Sequence, residues 1–98
     1  MYPKNMRQIY VEALSKFGTR PQLRMLQEEC AELIVAVSHY CRSRETGLAE
    51  LKEELSDVYI MVGQIIEFVG QEEMKTEINN KLQKKIRRIL DKERFDEN

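Results

Sequence analysis

Glycine and proline are scarce in this sequence, four and two in 98 residues. Folds made of many short strands and tight turns need more of both, and the β-branched residues form no clusters that would argue for strands. Cysteine is as rare. Cys30 and Cys41 fall on one predicted helix, ~16 Å apart by helical rise, which excludes a disulfide between them; they are expected as small buried side chains. The single histidine, His39, has no glutamate three residues before it. That excludes the Glu-x-x-His pairs of a ferritin-like di-iron site, and His39 is read as a surface or packing residue. No apolar run approaches the ~20 residues of a membrane span, and MYPKNMRQIY lacks the apolar core of a signal peptide. An excess of one charge is also missing: 16 basic against 17 acidic residues give a net charge of −1. No global field draws nucleic acid or an acidic membrane to such a chain. A cytosolic protein with one domain over residues 1–98 is the expectation, and its small size favours a homo-oligomer, because a short helical chain buries little core alone.

What the sequence does contain is helical periodicity throughout. The first predicted helix runs from about Lys4 to Lys16, with Met6, Ile9, Tyr10, Ala13, Leu14 and Phe17 on one side, and Gly18 ends it. Thr19 to Gln22 reads as a capping box with Pro21 in the first turn of the second helix. That helix reaches about Cys41 on a stripe of Leu26, Cys30, Leu33, Ile34, Val37 and Cys41. RSRETG is the expected connection. The third helix runs from about Leu48 to Val69, with Leu51, Leu55, Val58, Val62, Ile65, Ile66 and Val69 as its stripe, and Gly70 ends it. The fourth runs from about Glu72 to Glu93. The fold class is all-α, an antiparallel four-helix bundle-like protomer.

Two stretches repeat one pattern. LQEECAEL (Leu26–Leu33) and LKEELSDV (Leu51–Val58) each place an acid pair three residues apart at one edge of the apolar stripe, Glu29 with Glu32 and Glu54 with Asp57. The midpoint between the two copies falls near Ser43, inside the connection, so an antiparallel hairpin brings them to the same height. Four converging carboxylates repel and raise one another's pKa. Neither pair has a basic residue at i+3 or i+4 on its own helix. Oxygen donors alone suit a hard divalent cation, Mg²⁺ or Mn²⁺. A single acid pair on a helix is ordinarily a solvated face; two pairs in phase and level across a hairpin are a metal-site candidate.

The fourth helix has a second irregularity. Lys75 interrupts its stripe of Met74, Ile78, Leu82 and Ile86, and Asn79 lies at the stripe's edge. A lysine stem can lie along apolar neighbours with its head in water; the sharper reading is that both heads bind an anion. Lys81 and Lys84, in the basic run that follows, are weaker phosphate candidates. The run has no groove-reading motif, and no nucleic-acid partner is expected.

These residues resemble the all-α nucleoside triphosphate pyrophosphohydrolases, the MazG-like group. The resemblance lies in Glu28-Glu29-x-x-Glu32, 21 intervening residues and Glu54-x-x-Asp57, with Lys75-x-x-x-Asn79-x-Lys81 as a weaker match, and covers about residues 10 to 88. It implies Mg²⁺-dependent hydrolysis of a (deoxy)nucleoside triphosphate to the monophosphate and pyrophosphate, with Mg²⁺ on Glu29, Glu32, Glu54 and Asp57. It also implies a homo-dimer or homo-tetramer whose pocket a neighbouring chain completes. Under it, Glu29 and Glu32 are the catalytic candidates for accepting a proton from water, and the sequence does not choose between them. Lys75, Asn79, Gln22 and Lys81 are candidates for substrate contacts. Phe17 stands where members of the group often have tryptophan, and either stacks on the base or packs in the core. The alternatives are a non-enzymatic helical interaction module and a nucleotide-binding protein.

Overall fold

The computed structural model describes residues 5–90, which form four helices and no strand: α1 (Met6–Phe17), α2 (Thr19–Arg42), α3 (Arg44–Val69) and α4 (Gln71–Leu90). The chain divides into two compact units with the boundary between Phe68 and Val69, and each is taken by itself.

In the first unit α2 and α3 form an antiparallel hairpin. Gln22 meets Gln64, Glu29 meets Asp57, and His39 meets Glu50, so the partners run in opposite directions along the chain. The link is shorter than the expected RSRETG. Ser43 alone ends α2, donating its N–H to His39 O, and its carbonyl then accepts from Gly47 N at 2.9 Å. α3 therefore starts four residues earlier than Leu48, with Glu45 in its first turn, where negative charge is favoured. Gly47 is a packing residue inside the helix. A Cβ there would lie 2.6 Å from Tyr40 Cα and 2.9 Å from Tyr40 N, so the two backbones approach as closely as they do only because the side chain is absent.

The capping box at Thr19 does not form. Gly18, at φ 91° and ψ 153°, occupies the N-cap position and no side chain caps the helix. Thr19 is already helical, and Gln22 N–H reaches Gly18 O at 3.4 Å. α1 packs on the C-terminal part of α3. Tyr10 is buried against Gly63, where a Cβ would come within 2.6 Å of the ring, and Arg7 Nε pairs with the buried carboxylate of Glu67 at 2.9 Å.

The inward seam of the hairpin is rotated from the predicted stripes. On α2 it follows Gln22, Leu26, Glu29, Leu33, Ala36 and Tyr40, and on α3 Gly47, Glu54, Asp57, Met61 and Gln64, all half-buried or buried. Spacings of three and four keep such a row on one face. Its most buried members are Ala36, which is fully buried, and Met61 and Gln64, which nearly are. The predicted stripes overlap this seam in part: Leu26 and Leu33 belong to both, Leu51, Val58, Ile65 and Ile66 are half-buried beside it, and Ile34 at 68% and Leu55 at 54% are exposed. Cys30 is half-buried and Cys41 exposed, both as free thiols, so the expectation of two buried cysteines holds only in part. At ~100° per residue the stripes of α2 and α3 turn the same way from the seam. In an antiparallel pair this puts them on one side of the hairpin.

In the second unit Gly70, at φ 118°, interrupts the helical run and α4 begins at Gln71 with Glu72 and Glu73 in its first turn. Ile78, Leu82 and Ile86 are exposed along it. The expected extension of this helix to Glu93 and the expected start of the first helix at Lys4 lie outside the described residues.

Candidate metal centre

Glu29 lies in the α2 seam, Glu54 and Asp57 lie one turn apart in the α3 seam, and the antiparallel register sets them level. Glu29, Glu54 and Asp57 each offer an oxygen within 4.8 Å of the other two. Among the described residues this is the one cluster of three or more potential metal ligands. All three side chains are half-buried. Glu29 Oε2 and Glu54 Oε2 are shut off from solvent and have no hydrogen-bond partner. A buried carboxylate oxygen without a partner is costly, and here two face one another's charges.

Glu32 stands beside the cluster on the exposed side of α2. Burial pushes the Glu29 carboxyl above its ordinary value, and the charges of Glu32, Asp57 and Glu54 push it further. Burial likewise raises Glu54, followed by the charges of Glu32 and Asp57. Desolvation and like charge act in the same direction at both groups. A divalent cation held here would offset both causes, because it would supply the missing partner and reverse the sign of the local field. The donor set is oxygen only, which fits Mg²⁺ or Mn²⁺. Glu32, Val35, Glu50, Glu54 and Ala31 line an open groove of about 290 Å³ alongside.

Residues 17–94 match the family model of the MazG nucleotide pyrophosphohydrolase domain. The chain belongs to this family. No curated protein and no solved structure gives a significant match. The MazG family acts on nucleotides and uses divalent metal, and this MazG domain carries its acidic cluster on the α2–α3 hairpin. None of the helices among the described residues is long and apolar enough to cross a membrane.

The other predicted site residues are placed as follows. Gln22 is half-buried in the first turn of α2 and donates to Gln64 Oε1 at 2.7 Å. Phe17 is 56% exposed, with Lys16 Nζ 5.4 Å from its ring centroid. Lys75, Asn79 and Lys81 lie exposed on α4 in the second unit, and Lys75 pairs with Glu72 at 3.6 Å. His39, read as a surface or packing residue, is exposed and bridges to Glu50 at 2.9 and 3.0 Å. Sequence reasoning missed Gln64. Its signal was present: a lone amide inside the apolar run Val62-Gly63-Gln64-Ile65-Ile66 is either exposed or bonded.

Proposed function

We propose that this MazG domain hydrolyses a nucleoside or deoxynucleoside triphosphate to the monophosphate and pyrophosphate, with Mg²⁺ held by Glu29, Glu54 and Asp57 and with Glu32 alongside. The observation that carries the reading is the pair of orphaned, desolvated oxygens on Glu29 and Glu54 within one three-carboxylate cluster. Mn²⁺ is the second choice for the same donors. When bound, the ion supplies positive charge between the carboxylates and the triphosphate and acidifies a water molecule.

The chain's own residues divide the remaining work. Glu29, Glu54 and Asp57 are fixed by the seam, which keeps their oxygens preorganised. Glu32 is exposed beside the cluster and its charge acts on both Glu29 and Glu54; of the two catalytic candidates we assign it, rather than the half-buried Glu29, to take a proton from the attacking water. Lys75 and Lys81 are the cations and Asn79 the amide assigned to the phosphates, on the family resemblance. Gln22 and Phe17 are assigned to the nucleoside.

The apolar side of the hairpin supports a homo-oligomer. Ile34, Val37, Leu55 and Val62 are exposed there, on one side of the α2–α3 pair. A contiguous apolar patch of this kind marks an association surface, and a second copy offers a matching one by two-fold symmetry. Glu32 lies on the opposite side of the seam, which leaves the acids open when that face is covered. We assign the protein to the cytosol, where it would meet the nucleotide pool.

Phosphorus NMR of the reaction products tests the proposal. Monophosphate and pyrophosphate are the expected pair; diphosphate and orthophosphate would mean cleavage at the other anhydride bond and would contradict it.

A further inference from the structure

Gln64 is buried, with 8% of its surface exposed, and its carboxamide is held at both ends. Oε1 accepts from Gln22 Nε2 at 2.7 Å. Nε2 donates to Met61 Sδ at 3.5 Å. The sulfur decides which way round the amide lies: a thioether is a weak acceptor and donates nothing, so the amide nitrogen faces it and the oxygen does not. Gln64 Oε1 is thereby directed to α2, and Gln22 must answer with its own nitrogen. Among the described residues the carbonyl oxygen and the second N–H of Gln22 are left uncommitted. A fixed acceptor and donor on one planar group match the acceptor–donor pairs along a nucleobase edge.

The position along the hairpin suits that use. Gln22 and Gln64 each stand seven residues from a cluster member, Glu29 and Asp57, or ~10 Å by helical rise. A nucleoside attached to phosphates at the cluster spans that distance. The two directions along the seam differ in charge. Toward the connection the acids continue with Glu50, which His39 bridges. Toward Gln22 the seam is uncharged, with half-buried Leu26 and buried Met61. A neutral aromatic base runs to the uncharged end.

We propose that Gln22 reads the hydrogen-bonding edge of the base, and that Gln64 and Met61 are positioning residues that fix the orientation of the Gln22 amide. The proposal rests on the pyrophosphohydrolase reading, and the test separates the two. Affinities are measured calorimetrically in Mg²⁺ for α,β-methylene triphosphate analogues carrying each base and for the base-free ribose analogue. The wild type is expected to bind at least one base-bearing analogue about tenfold tighter than the base-free one. Gln22→Ala and Gln64→Leu should each bring that ratio close to one and leave the base-free affinity within about twofold. A purely structural Gln64 would instead lower the melting temperature and weaken all analogues alike, which overturns its positioning role. Gln22→Ala, at a half-buried position, keeps the test valid if Gln64→Leu does not fold. An unchanged ratio in Gln22→Ala, or a wild-type ratio near one with firm binding of the base-free analogue, overturns base reading and leaves the pyrophosphohydrolase reading standing. A folded wild type that binds none of the analogues overturns both.

Discussion

Glu29 on α2 and Glu54 on α3 each turn one carboxylate oxygen into the hairpin, where solvent does not reach it and no hydrogen bond meets it, and the two offer oxygens within 4.8 Å of each other. In the absence of metal this arrangement works against the fold. The first consequence is that Glu54→Gln should raise the melting temperature in EDTA, because it removes one of the opposing charges. The same substitution should abolish stabilisation by Mg²⁺. Ten-millimolar Mg²⁺ is expected to raise the wild-type melting temperature by about 5 °C or more, since an ion that binds only the folded state stabilises it by mass action. Paired thermal melts of wild type and variant check both statements.

The pH dependence follows from the same pair. Glu29 and Glu54 are both raised from the ordinary 4.5 by burial and by neighbouring carboxylates. A folded state that holds its protons more tightly than the unfolded chain loses stability as pH rises from the unfolded value through the raised folded values. In EDTA the wild type should therefore lose melting temperature, relative to a Glu29→Gln/Glu54→Gln double variant, as pH rises from about 4.5 toward neutrality. With Mg²⁺ present the loss should shrink, because the metal favours the ionised form. Melting curves across this range in both conditions decide the matter.

Gly47→Ala should destabilise the protein by about 1–3 kcal/mol, the usual cost of overpacking. In a helix that was merely tolerating glycine the same change would stabilise by roughly 1 kcal/mol. The sign reverses here because the new methyl would meet the Tyr40 backbone at 2.6 Å. Chemical denaturation of the variant reads the sign directly.

Ile34→Asp, on the exposed apolar side of the hairpin, should shift the protein toward monomer in sedimentation experiments. The acid cluster lies in the seam and not on that side, so the monomer should keep its metal-dependent stabilisation if it folds alone. An unchanged oligomer would place the interface elsewhere.

Much of this was legible in the sequence because it depends on position along a helix. Gly18 and Gly70 end helices where the apolar period breaks. The height of Glu29 against Asp57 follows from an equal count of residues on either side of Ser43. Rotation about the helix axis was harder to read. Ile34 and Val37 look as much like the core of α2 as Leu26 and Leu33 do, yet they are exposed, and the seam runs through Leu26, Glu29, Leu33 and Ala36. Gly47 looked like part of a turn, and its role depends on the approach of Tyr40 from another helix, which no local pattern encodes. Thr19 carries the right chemistry for a cap, and Gly18 takes the position because its backbone conformation starts the helix one residue earlier. Gln64 stands out in the sequence as a lone amide in an apolar run, but its partners Gln22 and Met61 are visible only in the fold.

The most direct test of the central claim is pyrophosphate release from a panel of nucleoside and deoxynucleoside triphosphates by wild type and Glu54→Gln, with Mg²⁺ and with EDTA. The account predicts release by the wild type in Mg²⁺ alone, and its loss, by about a hundredfold or more, in a Glu54→Gln variant that remains helical. Undiminished release by that variant, or release by the wild type in EDTA, would contradict it.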